Sequence, residues 1–282
     1  MQYLSPQNDQ NFIDATLGGC GHTTSILNAN SPSGRILAID TDINAITNGR
    51  SVLREFGNRI VLAHGNLASM QSVVNETGFP PVDGVLMDLG VSSHQLSDAT
   101  RGFSFKLDGP LDMRMDQSTG KPASEVIKYT PEKQLADLLF NLGGERNSRR
   151  IARAIVRERS QTSITSTLTL ANLIIRTVGF KNRRLHPATK TFQALRIHVN
   201  NELDNLEAGI YGALKVCCRG ARIVVISFHS LEDGKVKRIF RAASKAGLLE
   251  ILTPRPVRPC PTEIASNPRC RSARLRAART AN

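Results

Sequence analysis

Three acidic residues, each closing an apolar run, and one cluster of glycines are the residues whose spacing suggests chemistry. Asp14 follows Phe12-Ile13 and leads into Gly18-Gly19-Cys20-Gly21. Asp40 closes the run Arg35 to Ile39, 19 residues beyond Gly21, and Asp88 closes Val82 to Met87. A glycine turn between a strand and a helix lets the backbone approach a ligand closely, and a carboxylate ending the next strand takes ribose hydroxyls. This is the layout of an adenosine-binding site, although a glycine cluster by itself also makes ordinary tight turns.

Two cofactor classes use that layout. A dinucleotide fingerprint wants a third glycine where this chain has Thr24. An acid beside the glycine turn repels a pyrophosphate and favours a cation, so the sulfonium and amine of S-adenosyl-L-methionine suit the acids better than a nicotinamide dinucleotide does. The stretch Met87 to Leu96 then places polar groups where a transferred methyl would sit. Asp88 there reads as a hydrogen-bond acceptor for a reacting amine, or more simply as a helix or turn cap.

The elements that must hold these residues follow from the apolar pattern. Strands are expected at Phe12–Asp14, Arg35–Ile39, Arg59–Ala63, Val82–Met87 and Arg222–Ile226, alternating with helical segments. That alternation implies an α/β fold with a doubly wound, mostly parallel sheet. The fifth strand arrives only after a long helical interruption, so a helical domain is expected to be inserted in the sheet domain. The expected division is 1–100 for the first part of the sheet domain, 101–185 for the insert and 186–282 for the second part with a basic tail. Phe192, Leu195, Val199, Leu203, Leu206, Ile210 and Leu214 recur at steps of three or four, the pattern of one long amphipathic helix packed on the sheet. From Pro254 onward seven arginines face a single Glu263, which reads as a loosely packed tail or as an arm lying on a phosphate backbone.

The formal charge of +13 exceeds what solubility requires and points to a polyanionic partner, nucleic acid first. Five cysteines without a CxxC pair suit a reducing compartment rather than a disulfide framework, and no metal site is expected. The apolar runs are too short for a membrane span, and the first residues look like neither a secretory signal nor an Arg-rich presequence. A bacterial cytoplasm is therefore expected ahead of a mitochondrial matrix. The oligomeric state is left open, a homodimer included.

The strings DATLGGCGHT (Asp14–Thr23), GVLMDLGVSSHQLS (Gly84–Ser97), RGFSFKLDGPLDMRMD (Arg101–Asp116), HPATKTFQALRIHVNNELDNLE (His186–Glu207), SFHSLED (Ser227–Asp233) and NPRCRSARLR (Asn267–Arg276) span nearly the whole chain. Together they resemble the RsmH (MraW) family of ribosomal RNA methyltransferases. The resemblance implies a Rossmann-like, class I methyltransferase fold, S-adenosyl-L-methionine as cofactor, and methylation of the exocyclic N4 of a cytidine in the decoding region of small-subunit ribosomal RNA, free or in a 30S-type subunit. It further implies that Cys20, Gly21, His22, Asp40, Asp88 and Gln95 contact the cofactor, with Leu67 on the adenine side. The chain departs from the family at Cys20, where glycine is usual, at Leu67, where an aromatic is frequent, and at His94, where proline is common. The family's His-x-Pro-Val-Leu stretch ahead of Tyr3 is absent from the sequence, which leaves the expected cofactor pocket more open.

A cytosine amine is a poor nucleophile because its lone pair is delocalised into the ring. An enzyme must accept hydrogen bonds from it as it becomes tetrahedral, a role assigned here to Asp88 with the Leu89-Gly90 carbonyls, and no covalent intermediate is expected. RNA bases are reached when extruded and stack on aromatics and arginines, so Arg101, Phe103, Phe105 and Arg114 are candidate RNA contacts; packing of the insert's own core explains the phenylalanines equally well. Arg146, Arg149, Arg150, Arg153 and Arg157 share a helix face with no acid along it, and Arg149 and Arg153 are expected on a phosphate track rather than on a merely solvated face. His229 and His186 are read either as substrate contacts or as loop braces. The competing functions are a nucleotide-dependent oxidoreductase, which would bind NADH, and a catalytically silent RNA-binding assembly factor, which would transfer no methyl group.

Overall fold

The computed structural model describes residues 1–180 and 185–281. Positions 181–184 of the expected insert, and residue 282, lie outside the described residues. The chain divides into two compact units, Met1–Gly90 with Leu203–Asn282, and Val91–Glu202.

The first unit is built on a sheet of β1 (Phe12–Asp14), β2 (Ile36–Asp40), β3 (Ile60–His64), β4 (Val82–Asp88), β5 (Cys217–Ser227), β6 (Leu249–Ile251) and β7 (Arg274–Thr280). Their spatial order is β3-β2-β1-β4-β5-β7-β6. The first five strands run parallel, and β7 is antiparallel to both β5 and β6. This is the Rossmann-like, doubly wound fold. The chain winds outward from β1 to β3 and then returns to place β4 on the other side of β1, which opens the crevice where such sheets bind ligands, beyond the carboxyl ends of β1 and β4.

The two faces of β1 show why the sheet is buried on both sides. Phe12 packs with Ile26, Leu27 and Ile46 from helices α1 (Gly21–Ala29) and α2 (Ile43–Val52). Ile13, one residue on and therefore on the opposite face, packs with Met70 of α3 (Met70–Thr77) and with residues of two later helices. Both side chains are fully buried.

The second unit is helical: α4 (Ser93–Ser97), α5 (Ala123–Tyr129), α6 (Glu132–Gly143), α7 (Ser148–Arg159), α8 (Thr167–Val178) and α9 (Thr189–Val199). Its core gathers Leu135 and Leu139 of α6, Ile151 and Ile155 of α7, Leu170 and Ile174 of α8, and Phe192 and Leu195 of α9.

The long amphipathic helix expected across Phe192–Leu214 is two helices. α9 ends at Val199, and α10 (Glu202–Val216) starts after Asn201, whose φ is +48°. Asparagine tolerates that left-handed conformation better than most residues do. The neighbouring Asn200 side chain accepts the Met115 N–H at 2.7 Å and donates to the Met113 carbonyl at 2.8 Å, pinning the Met113–Met115 loop. The continuous apolar face is therefore shared out, Phe192 and Leu195 to the helical core and Leu206 and Ile210 to the sheet core.

The arginine-rich end is no loose tail, because β7 lies inside the sheet. Its buried Arg276 donates to Asp233 at 2.6 Å on α11 (Ser230–Lys245). The connection from β6 to β7 holds α12 (Pro261–Ser266). Among the described residues no helix is long and apolar enough to cross a membrane.

Candidate active site

Asp14, Asp40 and Asp88 end β1, β2 and β4, so the sheet brings to one rim three carboxylates that are distant in sequence. The loop from Ala15 to Cys20 is tied down on both sides: the Ala15 N–H donates to the Leu86 carbonyl at 2.9 Å and the Leu17 N–H to the Ile39 carbonyl at 3.0 Å. Its turn needs left-handed backbone at Gly18, φ +48°, and at Cys20, φ +69°. The first suits glycine; the second explains why glycine would be easier than cysteine at position 20, a side chain there costing roughly 1 kcal/mol. The Cys20 side chain is nevertheless fully buried in the apolar layer against α1 and α2, which accommodates its Cβ.

Each acid has distinct partners. Asp14 is fully buried, accepts the Thr23 hydroxyl at 2.7 Å and the Thr16 N–H at 3.1 Å, and burial pushes its carboxyl up from the ordinary range. Asp40 accepts the Gly18 N–H and the Asp42 N–H, both at 2.8 Å, and burial pushes it up to about 6. Asp88 donates its own N–H to the Thr16 hydroxyl at 2.7 Å. One carboxylate oxygen of Asp88, Oδ2, lies 3.4 Å from His22 Nε2, and the other, Oδ1, is buried with no hydrogen-bond partner. The bond to Asp88 raises the His22 imidazole above its usual value, against the opposing effect of burial.

Thr16 and Thr23 were not singled out from the sequence, although both lie within the DATLGGCGHT string. Their signal is a hydroxyl at a position flanking a glycine turn, where a buried acid needs a donor. Nor does sequence spacing reveal that His22 pairs with Asp88, because the two meet only when α1 docks beside β4.

Leu67, at the start of the turn after β3, packs into the sheet core, and a Cβ built on Gly209 of α10 would stand 2.1 Å from its Cδ1. The glycine in α10 thus leaves the room that Leu67 fills. His229 caps α11: its Nδ1 accepts the Glu232 N–H at 3.4 Å, while Glu232 Oε2 accepts the Phe228 N–H at 2.9 Å. It is mostly buried: Nδ1 serves the cap, while the buried Nε2 has no hydrogen-bond partner, so the cap accounts for one of its two ring nitrogens.

In the helical unit, Gln95 is buried and its side-chain oxygen accepts the Ser92 N–H at 2.9 Å, closing a capping box at the start of α4. Arg101 is 3% exposed, donates to the Arg114 and Met115 carbonyls, and lies over the buried Phe103 ring. These two residues pack the unit's interior and leave little ring or guanidinium face for a base. Arg114 forms a two-pronged pair with Asp112 at 2.8 and 2.9 Å. Phe105 stacks on His186, centroids 4.4 Å apart, and meets Phe192 edge-on. On α7 and just ahead of it, the arginines 146, 149, 150, 153 and 157 line one stretch, and all five are exposed. Their face is not wholly without acid, since Glu132 of the neighbouring α6 reaches to 3.5 Å from Arg153, a contact between helices that the spacing along one helix does not show.

The five cysteines are free, and their surroundings order their reactivity. Cys260 is exposed and its hydrogen bond with Thr262 lowers its thiol, whereas burial raises Cys20 and pushes Cys217 up to about 12. In native protein at about neutral pH, iodoacetamide should label Cys260 at least about a hundredfold faster than Cys20, since the thiolate is the nucleophile. Peptide mass spectrometry over a time course reads this; Cys20 labelling alongside Cys260 would refute the burial argument and reopen Cys20 as a reactive thiol.

Residues 1–281 match the MraW methylase family model. The ribosomal RNA small subunit methyltransferase H of Thermomicrobium roseum is 46% identical, with 99% of this chain and 90% of that protein covered. The enzymes of the same description from Syntrophobacter fumaroxidans and Bradyrhizobium diazoefficiens are 45% and 44% identical, covering 94% and 99% of this chain and 89% and 88% of theirs. The rim fits the methyl donor of such enzymes. Open space lies over Gly19 and Gly21, where an added Cβ would meet nothing within 4 Å, the strands beside it end in Asp14, Asp40 and Asp88, and Asp88 Oδ1 lacks a partner. The chain belongs to the MraW methylase family, and its cofactor is S-adenosyl-L-methionine.

Proposed function

We propose that this protein methylates the exocyclic N4 of a cytidine in the decoding region of small-subunit ribosomal RNA. The carrying observation is Asp88 Oδ1, a buried acceptor without a partner at the switch-point rim, in a chain whose curated relatives are small-subunit ribosomal RNA methyltransferases. An amine bearing two N–H bonds is a group that such an oxygen suits, because burial makes an unanswered acceptor costly.

Our reading assigns Gly21, His22, Asp40 and Leu67 to cofactor contact along with the Cys20 backbone, and Asp88 to the reacting amine. When bound, S-adenosyl-L-methionine supplies a methyl group on a positively charged sulfur, which keeps the electron pair of the carbon–sulfur bond. Asp40 accepts hydroxyl donors with lone pairs left over from Gly18 and Asp42. His22 holds Asp88 by Oδ2 and leaves Oδ1 to accept an N–H of the amine. As the nitrogen gains its carbon it must lose a proton, and the Asp88 carboxylate is the acceptor at hand. The backbone carbonyls of Leu89 and Gly90 stand next in line along the chain as a second acceptor. Cys20 takes no part as a nucleophile.

The experiment supplies small subunits from cells lacking this activity with methyl-labelled S-adenosyl-L-methionine, then digests the RNA and identifies the labelled nucleoside. N4-methylcytidine is expected. Label on another nucleoside, or no label with a folded, cofactor-binding enzyme, would overturn the reading.

The exposed arginines of α7 are proposed to follow the RNA backbone. Replacing Arg149 and Arg153 with glutamate should flatten the salt dependence of RNA binding by roughly one to two in slope, at about 0.7 per lost phosphate contact on a single strand. Cofactor affinity measured by calorimetry should stay unchanged; a slope equal to that of the parent enzyme would remove α7 from the RNA path.

A further inference from the structure

The segment between β6 and β7, residues 252–273, has a fixed place in the first unit. Adjacent antiparallel strands can be joined by a few residues, so this connection is far longer than its topology requires. It is also ordered. Val257 and Leu275 exchange both backbone hydrogen bonds at 2.9 Å, α12 and a short turn at Pro268–Ser272 follow, and Cys270 is buried. Register shows where it emerges: Leu275 stands opposite Ile226 of β5, and Ile226 opposite Asp88 of β4. Two strand spacings, roughly 10 Å, therefore separate Leu275 from Asp88, and the connection leaves the sheet at the rim that carries the acids.

Its charges differ in kind from those of the strand that follows. Arg274 and Arg276 pair with Asp233, and Arg279 pairs with Glu250. Arg255, Arg258 and Arg271 lie on the connection, all three exposed, and among the described residues no acid pairs with them. Glu263 is the sole acid in the whole connection. Pro254, Pro256 and Pro259 fix the backbone around the first two arginines, so these are presented at little entropic cost. Like charges gathered on an ordered segment repel one another until a polyanion lies across them.

We propose that the 252–273 connection is a phosphate-binding surface that takes the RNA strand flanking the nucleotide delivered to Asp88. The inference rests on RNA being the substrate, as proposed above. Its position argues for RNA over other polyanions: a strand whose base enters at Asp88 carries its neighbouring phosphates past a surface that begins about two strand spacings away. Arginine suits this role because its planar fork meets phosphate oxygens in pairs.

The test compares the parent enzyme with Arg255→Gln/Arg258→Gln/Arg271→Gln and with the matching triple lysine variant. Three readouts are needed: binding of a fluorescent mixed-sequence single-stranded RNA across a salt series, methyl transfer to small subunits, and cofactor binding by calorimetry. The glutamine variant should lose on the order of tenfold to a hundredfold in RNA affinity near physiological salt, with the slope flattened by about two. Cofactor binding should be unchanged, showing that the protein is folded, and the lysine variant should recover most of the slope. A glutamine variant with the parent's slope overturns the inference and leaves the proposed function standing. So does one that keeps RNA binding but loses attachment to vesicles containing anionic lipid, which would assign the surface to a membrane. A parent enzyme that fails to methylate small subunits removes the proposed function itself, and this inference with it.

Discussion

Asp88→Asn should lower single-turnover methyl transfer about a hundredfold to a thousandfold, while cofactor affinity changes less than about tenfold, because a positioned proton acceptor contributes that much to a rate and little to donor binding. The substitution keeps the size of the side chain and its backbone bond to Thr16. It removes the negative charge and turns one of two acceptor oxygens into a donor, so either the amine or His22 faces a group of the wrong polarity. It also removes the bond that raises the His22 imidazole, and His22 should then titrate nearer its ordinary value, observable by NMR of the ring protons. Labelled methyl transfer and calorimetry on the same samples separate the two effects. An Asp88→Asn enzyme with full turnover and full affinity would remove Asp88 from the chemistry.

The second large effect is expected at Asp40. Asp40→Ala should weaken cofactor binding about tenfold to a hundredfold, the worth of hydrogen bonds to a charged acceptor. Its pH behaviour gives a sharper signature. Burial pushes this carboxyl up to about 6, so below that value the cofactor-free protein holds a proton there. Binding to the ionised form must expel it, and affinity should fall as pH drops through about 6, by at most about tenfold per unit for one group. Without cofactor the sign reverses for stability: the unfolded chain ionises near 3.8 while the fold resists until about 6, so the fold loses stability as pH rises through that window. Asp40→Ala should remove most of both dependences. Asp14, raised by the same cause, leaves a residue of each. A parent affinity that is independent of pH across the range around Asp40's raised value would exclude Asp40 as the ionised contact.

The parallel half of the fold was legible because its strands contain short apolar runs ended by an acid, a histidine or a serine, and in β1, β2 and β4 burial on both faces leaves no polar alternation to confuse the reading. β7 was not, because Arg274, Arg276 and Arg279 hide a strand under charge. Only Asp233 and Glu250, contributed by other elements, make those arginines compatible with a sheet. The split between α9 and α10 was hidden for the opposite reason. The apolar period continues without a break across Asn200 and Asn201, and period alone cannot tell which of two cores a face is buried in. At the site, the residues came from strand ends and resemblance, but their couplings did not. His22 with Asp88, Thr23 with Asp14 and Gly18 with Asp40 are tertiary contacts: the bond to Asp88 raises His22, while at Asp14 and Asp40 burial raises the carboxyl against the hydrogen bonds. Arg101 and Phe103 show the limit of composition: an arginine beside an aromatic suggests base stacking, yet here the guanidinium serves two main-chain carbonyls inside the helical unit.

The sheet order also bears on biogenesis. β7 is the last strand in chain order but occupies the sixth place, between β5 and β6. A nascent chain that has emitted β5 and β6 therefore displays two open edges separated by the width of one missing strand, and each could capture a foreign strand. Assembly of this half must wait for a distant segment to slot in, a high-contact-order closure that is slow compared with helix formation. The paired arginines of β7 then double as gatekeepers, since a strand so charged resists aggregation until Asp233 and Glu250 are in place to receive it.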